Sequence, residues 1–134
     1  MSQEDKELLL KDLCARLPYG VKVKTKDDDD AYRLLSMHPN KNIAMIGLLF
    51  VDTYATSKVH IDEIKPYLRP MSSMTLKELE EYRRFGDHIR DVECKIHIAN
   101  YKQTDWLNSN HFDYSGLIPK GLAIEVTEEN NPYK

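Results

Sequence analysis

Apolar residues recur three and four apart along residues 2–17, where Leu9, Leu10, Leu13, Cys14 and Leu17 share one stripe, and this spacing predicts an amphipathic helix. Ser2 stands where a cap belongs, and Glu4 and Asp5 fall in the first turn, where the helix dipole favours negative charge. Pro18 and Gly20 end the run. The period then changes to two. Val21, Val23 and Thr25 alternate with Lys22, Lys24 and Lys26, as in a half-exposed strand. AYRLLSM (31–37) reads as a returning strand, HPNKN (38–42) as a turn, and IAMIGLLFV (43–51) as a central strand buried on both faces. KVHID (58–62) alternates again with Val59 and Ile61 inward, and Pro66 and Pro70 read as breaks in any ladder. Thr75 and Glu78 form a T-x-x-E capping box, which predicts a helix carrying Leu76, Leu79 and Tyr82 on its apolar side. Val92, Cys94, Ile96 and Ile98 alternate as a strand, 105–111 is a short helix, and 122–126 is a last strand.

Strands separated by short turns favour antiparallel pairing, so the expected class is α+β. The expected form is a curled antiparallel sheet of five or six strands, with an SH3-like barrel as one version, covered by two or three helices. The 134 residues suit a single domain over 1–134, with 127–134 a frayed tail.

Composition narrows the function mainly by exclusion. The longest apolar run, 43–51, falls far short of the ~20 residues of a membrane span. The acidic start MSQEDKELLLKD lacks the basic region of a secretory signal, and no membrane association is expected. Cys14 and Cys94 read as buried free thiols in a reducing cytoplasm. A net charge of −3 argues against a protein built mainly to coat nucleic acid.

Each candidate chemical motif lacks a necessary part. Cys94 and His97 lie three apart on a predicted strand and point to opposite faces, so they cannot share a metal ion. His60, Asp62 and Glu63 sit near one another without a nucleophile partner, and His111 has nearby carboxylates but no convergent set. A calcium loop begun at Asp27 would put Tyr32 and His38 where glycine and glutamate belong. Gly116 and Gly121 have phosphate-loop spacing, yet Leu122 and Ala123 follow instead of lysine and a hydroxyl residue. No catalytic, cofactor-binding or metal-binding residue is assigned, and no cofactor is expected. The dense stretch 104–126, with Trp106, Leu107, Phe112, Leu117, Ile118, Leu122 and Ile124, reads as a packing unit whose turns are shaped by Asp113 and the two glycines.

One row of side chains stands out. Lys22, Lys24 and Lys26 share a strand face, with Tyr19, Tyr32 and Arg33 close in sequence, and are the candidate nucleic-acid contacts. The plainer reading is that these lysines blunt an exposed sheet edge against aggregation.

Three blocks, LLLKDLCARLPYGV (8–21), IDEIKPYLRPMSSMT (61–75) and DWLNSNHFDYSGLIPKGLAIEV (105–126), resemble segments of small proteins of gut Bacteroides and their phages. Ser115 departs from the basic residue such proteins commonly carry between the tyrosine and the glycine. The resemblance transfers no activity or site residue. It implies an accessory protein of mobile elements, acting inside a bacterial cell. Because every catalytic spacing lacks a part and the chain holds eight tyrosines, a residue type enriched at interfaces, the expected function is a non-enzymatic interaction module. A protein partner, the chain itself included, ranks ahead of nucleic acid held by the lysine face.

Overall fold

Hydrophobic periodicity places one helix and a run of strands early in the chain, and the architecture is built from them. The structure is a computed structural model and describes residues 2–26, 30–38, 42–50, 53–86 and 102–133. Helix α1 (Gln3–Arg16) is followed by β1 (Lys22–Thr25), β2 (Ala31–His38), β3 (Ile43–Phe50), β4 (Thr53–His60) and β5 (Ile64–Pro70). Then come α2 (Leu76–Gly86), α3 (102–109), β6 (Phe112–Asp113) and β7 (Ile124–Glu125). The class is α+β. Among the described residues the strands form one open sheet of seven, in the order β4-β3-β2-β1-β5-β6 with β7 also on β5. It does not close into a barrel. Nor is it wholly antiparallel, because the short β6 and β7 run parallel to β5.

Local signals fix the ends of the helices. Ser2 Oγ accepts the Asp5 amide at 3.1 Å and starts α1. At α2 the capping box closes in both directions, with Thr75 Oγ1 accepting the Glu78 amide at 3.2 Å and Glu78 Oε1 accepting the Thr75 amide at 3.0 Å. Arg69 of β5 grips the same Glu78 carboxylate with two bonds, of 2.7 and 2.8 Å, and ties the helix to the sheet. Leu76, expected on the apolar side of α2, is 82% exposed.

Helix α1 lies on one face of the sheet. Its Leu9 and Leu13 meet Val21, Val23, Leu34, Ile46, Ile64 and Leu68 in the core. Burying each such side chain is worth about 1.5–3 kcal/mol. The buried face of α1 is Leu9, Asp12, Leu13 and Arg16, so it is turned away from the purely apolar stripe, and Cys14 is exposed rather than buried. The reason is Arg16. Fully enclosed, it pairs with Asp12 at 2.7 Å, donates to the carbonyl of Phe112, and lies 5.0 Å from the Tyr114 ring centroid. Cys94 and the expected strand 92–98 lie outside the described residues.

β3 buries Ala44 and Ile46 on one face and Gly47 on the other, with Met45 half-buried. A bulge at Leu35 lets Leu34 and Met37 both reach the core although they are three apart. β5 holds both prolines that were expected to break it. Lys26 donates to Glu63 across the β1–β5 pair, so two-residue periodicity puts Pro66, opposite Val23, at a position where no bond to β1 is needed. Ile61 is buried as expected, although it heads a 3₁₀ turn (Ile61–Glu63) and not a strand end.

The stretch 104–126 is a packing unit. Trp106 stacks on Phe112 at 5.6 Å between ring centroids and meets Tyr82 at 5.8 Å. The Asp113 carboxylate accepts the amides of Leu117 and Ile118, each at 2.9 Å. Gly116 and Gly121 adopt φ of 76° and 73°, which a side chain would strain.

The tail expected to fray is tied down by Tyr133. Its hydroxyl accepts the Lys22 amide at 3.0 Å and donates to the Tyr67 carbonyl at 2.8 Å, bridging β1 and β5 one rung beyond their paired residues. Burial pushes the phenol's pKa well up, so the hydroxyl keeps its proton. Tyr133→Phe leaves both backbone groups unmet. It is expected to cost about 1–3 kcal/mol in chemical denaturation.

Candidate functional site

A strand with partners on both sides cannot be a sheet edge. β1 pairs with β2 and with β5, and the outer strand is β4. The edge-blunting role expected of Lys22, Lys24 and Lys26 is therefore overturned, because β1 has no free edge to protect. Their faces do alternate as the sequence predicts. Val23 and Thr25 are buried, Lys22 and Lys24 are half-buried on the opposite face, and Lys26 is exposed.

Register adds partners that sequence proximity only half suggests. Arg33 of β2 lies opposite Lys22, and Lys65 of β5 lies opposite Lys24. Residues directly opposite on antiparallel strands point to the same face, with Cβ atoms about 4.5–5.5 Å apart. The outer face thus carries two cross-strand rungs of like charge. Like charges set so close repel, and Asp62 and Glu63 stand beside the Lys24–Lys65 rung. Arg33 and Lys65 are exposed, and the Arg33 guanidinium lies 3.8 Å from where a Cβ on Gly20 would stand. Lys24 Nζ also donates to the Thr25 carbonyl at 3.3 Å. Of the named neighbours, Tyr32 faces the core side, opposite Val23. Lys65 was the residue missed. Its signal was the alternation Ile64, Pro66, Leu68 inward, which the prolines disguised.

Among the described residues the histidines do not converge. His60 ends β4, while Asp62 and Glu63 belong to the 3₁₀ turn that follows, so no shared strand face brings them together. His38 ends β2. His111 sits in the left-handed region at φ 63° and stacks on Tyr133 with 3.7 Å between ring centroids. Its Nδ1 is buried without a hydrogen-bond partner. Burial first, then the charges of Arg16 and Arg69, lower its pKa from 6.5 to about 4. The imidazole is neutral and serves as a packing surface. The GxxxxG amides are likewise committed, since the Asp113 carboxylate already occupies the turn. His97 and Asp27–Asp29 lie outside the described residues.

A pH dependence follows. The folded protein binds the His111 proton less tightly than the unfolded chain does. Its contribution is therefore complete above pH 6.5 and is lost as the pH falls towards 4. Glu78, held at about 2 by its hydrogen bonds to Arg69, adds a more acid window between pH 4.5 and 2 with the same sign. His111→Phe is expected to flatten the fall in Tm between pH 6.5 and 4 and to leave the more acid fall in place.

Among the described residues no helix is long and apolar enough to cross a membrane. Compared with protein-family models, curated proteins and solved structures, the chain matches none.

Proposed function

We propose that this chain is a binding module whose working surface is the outer face of the sheet, and that it takes the phosphate backbone of a nucleic acid there. The observation that carries this reading is the pair of like-charged rungs, Lys22 with Arg33 and Lys24 with Lys65. Four cations gathered on one sheet face offer a polyanion a local positive field to meet. The ranking drawn from sequence alone placed a protein partner first. It rested on the absence of catalytic spacings and on the eight tyrosines, while the plainer alternative to nucleic-acid contact, an edge role for the lysines, is removed by the position of β1. The overall charge of −3 does not oppose the reading strongly, because phosphates respond to the local field of the face they touch.

Recognition of this kind is by backbone and independent of sequence. Tyr67, which the register sets beside Lys22, is buried, so it offers no open ring for a base to stack on. The resemblance to proteins of Bacteroides and their phages accords with a place inside a bacterial cell, where DNA and RNA are at hand. The test is fluorescence anisotropy with labelled DNA, comparing the natural chain with one carrying Lys22→Gln, Lys24→Gln, Arg33→Gln and Lys65→Gln. Binding by the first and not by the second is the expected result. Equal binding by both would overturn the assignment of this face.

A further inference from the structure

A strand inside a sheet spends its backbone groups on two neighbours, and β4 has one. Among the described residues it pairs with β3 alone, from Thr53 to His60 with no shift of register. One rung past that ladder, Ile61 donates its amide to the Asn42 carbonyl at 2.9 Å, which makes Asn42 and Ile61 a hydrogen-bonded pair. Alternation from this rung turns the backbone groups of Val59, Ser57, Ala55 and Thr53 toward β3. Those of His60, Lys58, Thr56 and Tyr54 point away from the sheet. Folds protect such an edge with brevity, proline, bulges or charge. The other side of this sheet is protected by brevity, since β6 and β7 have two residues each. β4 has eight residues, no proline, no bulge, no acidic residue and one lysine, and Thr56, Ser57, Lys58 and His60 are exposed.

We propose that β4 is a dimer interface, pairing antiparallel with β4 of a second copy of this chain about a two-fold axis at Ser57. The occupant is a second copy because the outward groups match themselves. Centred at Ser57, the pairing sets Thr56 opposite Lys58 of the second copy and Tyr54 opposite His60, and every outward residue exchanges both of its backbone bonds. The two lysines each face a neutral threonine. A centre at Lys58 would set the lysines against each other, which repels, and a centre at Thr56 would carry His60 past the end of the partner strand. Thr56 lies on the face of Arg33, since both are paired with Gly47. Antiparallel pairing keeps like faces on one side, so both copies present Lys22, Lys24, Arg33 and Lys65 on a continuous outer face. The pairing uses backbone groups of β4 and none of those cations, so it stands or falls apart from nucleic-acid binding.

Sedimentation equilibrium of the full chain without nucleic acid, from about 1 μM to about 1 mM, reads the pairing. The expected result is a monomer–dimer equilibrium with the modest affinity of a small interface. Thr56→Pro removes an N–H that β3 does not use, so it should give a folded monomer at every concentration. Two further substitutions read the register. Thr56→Glu adds two opposite-charge pairs with Lys58 per dimer and should tighten it by roughly 2- to 30-fold. Thr56→Lys adds two like-charge pairs and should weaken it by a similar factor. Hydrogen exchange gives the residue pattern: the Thr56 and Lys58 amides should slow as concentration rises, while the Ser57 amide, bonded to β3, is slow throughout. A monomer up to about 1 mM would overturn the proposal and leave the edge to a strand of another protein. So would a dimer that persists in Thr56→Pro, or one that Thr56→Glu and Thr56→Lys shift in the same direction or not at all.

Discussion

Replacing Arg16 with methionine is expected to lower the free energy of unfolding by about 3–5 kcal/mol, the cost of breaking a buried ion pair from one side. The Arg16 side chain is 0% exposed and that of Asp12 is 1% exposed, so removing one leaves the other charged and dry. The pair is not an economical one. Burial raises the Asp12 carboxyl pKa even though Arg16 pulls it down, and Asp12 Oδ1 and Arg16 Nη1 have no hydrogen-bond partner. Replacing both with apolar residues, Asp12→Leu with Arg16→Met, is therefore expected to recover most of the loss. Urea denaturation of the single and double variants reads this directly. A loss below about 1 kcal/mol for Arg16→Met would show that the Arg16 bond to Phe112 does not hold α1 to the C-terminal unit.

The same pair shows where sequence reading stops. Ser2, the ends of α1 and the Thr75–Glu78 box were legible because each is settled within four residues. Asp12 and Arg16, four apart, have the spacing of an ordinary solvated helix pair. What buries them is the carbonyl of Phe112, 96 residues away, and no local pattern announces it. Cys14 was misplaced for that reason, since the face of α1 is chosen by the charged pair as well as by leucines. The lysine face was legible from two-residue alternation. The place of β1 between β2 and β5 was not, because strand order is decided by long-range pairing. Pro66 and Pro70 hid β5, and with it Lys65, because a proline is compatible with a strand wherever its missing N–H is not required. The tail misled for a related reason: seven polar or turn-forming residues follow Val126, yet one tyrosine at the far end closes a gap between two strands.

The second large effect concerns the outer face itself, and it is read by the salt dependence of DNA binding. Four phosphate contacts, one for each of Lys22, Lys24, Arg33 and Lys65, give a slope of log affinity against log salt of roughly 3–4. Affinity should then fall by about 60- to 250-fold between 50 and 200 mM salt. Arg33 and Lys65 are exposed and Lys22 and Lys24 half-buried on the same face, and substitutions at exposed positions usually shift stability by less than about 0.5 kcal/mol. The four glutamine substitutions should therefore abolish this binding and leave the fold intact. Anisotropy of a labelled DNA duplex, titrated at several salt concentrations with the natural and the fourfold-substituted chain, is the most direct measurement. The account predicts a slope of roughly 3–4 that vanishes in the variant. Salt-independent binding, no binding at 50 mM salt, or a slope that survives the four substitutions would contradict it.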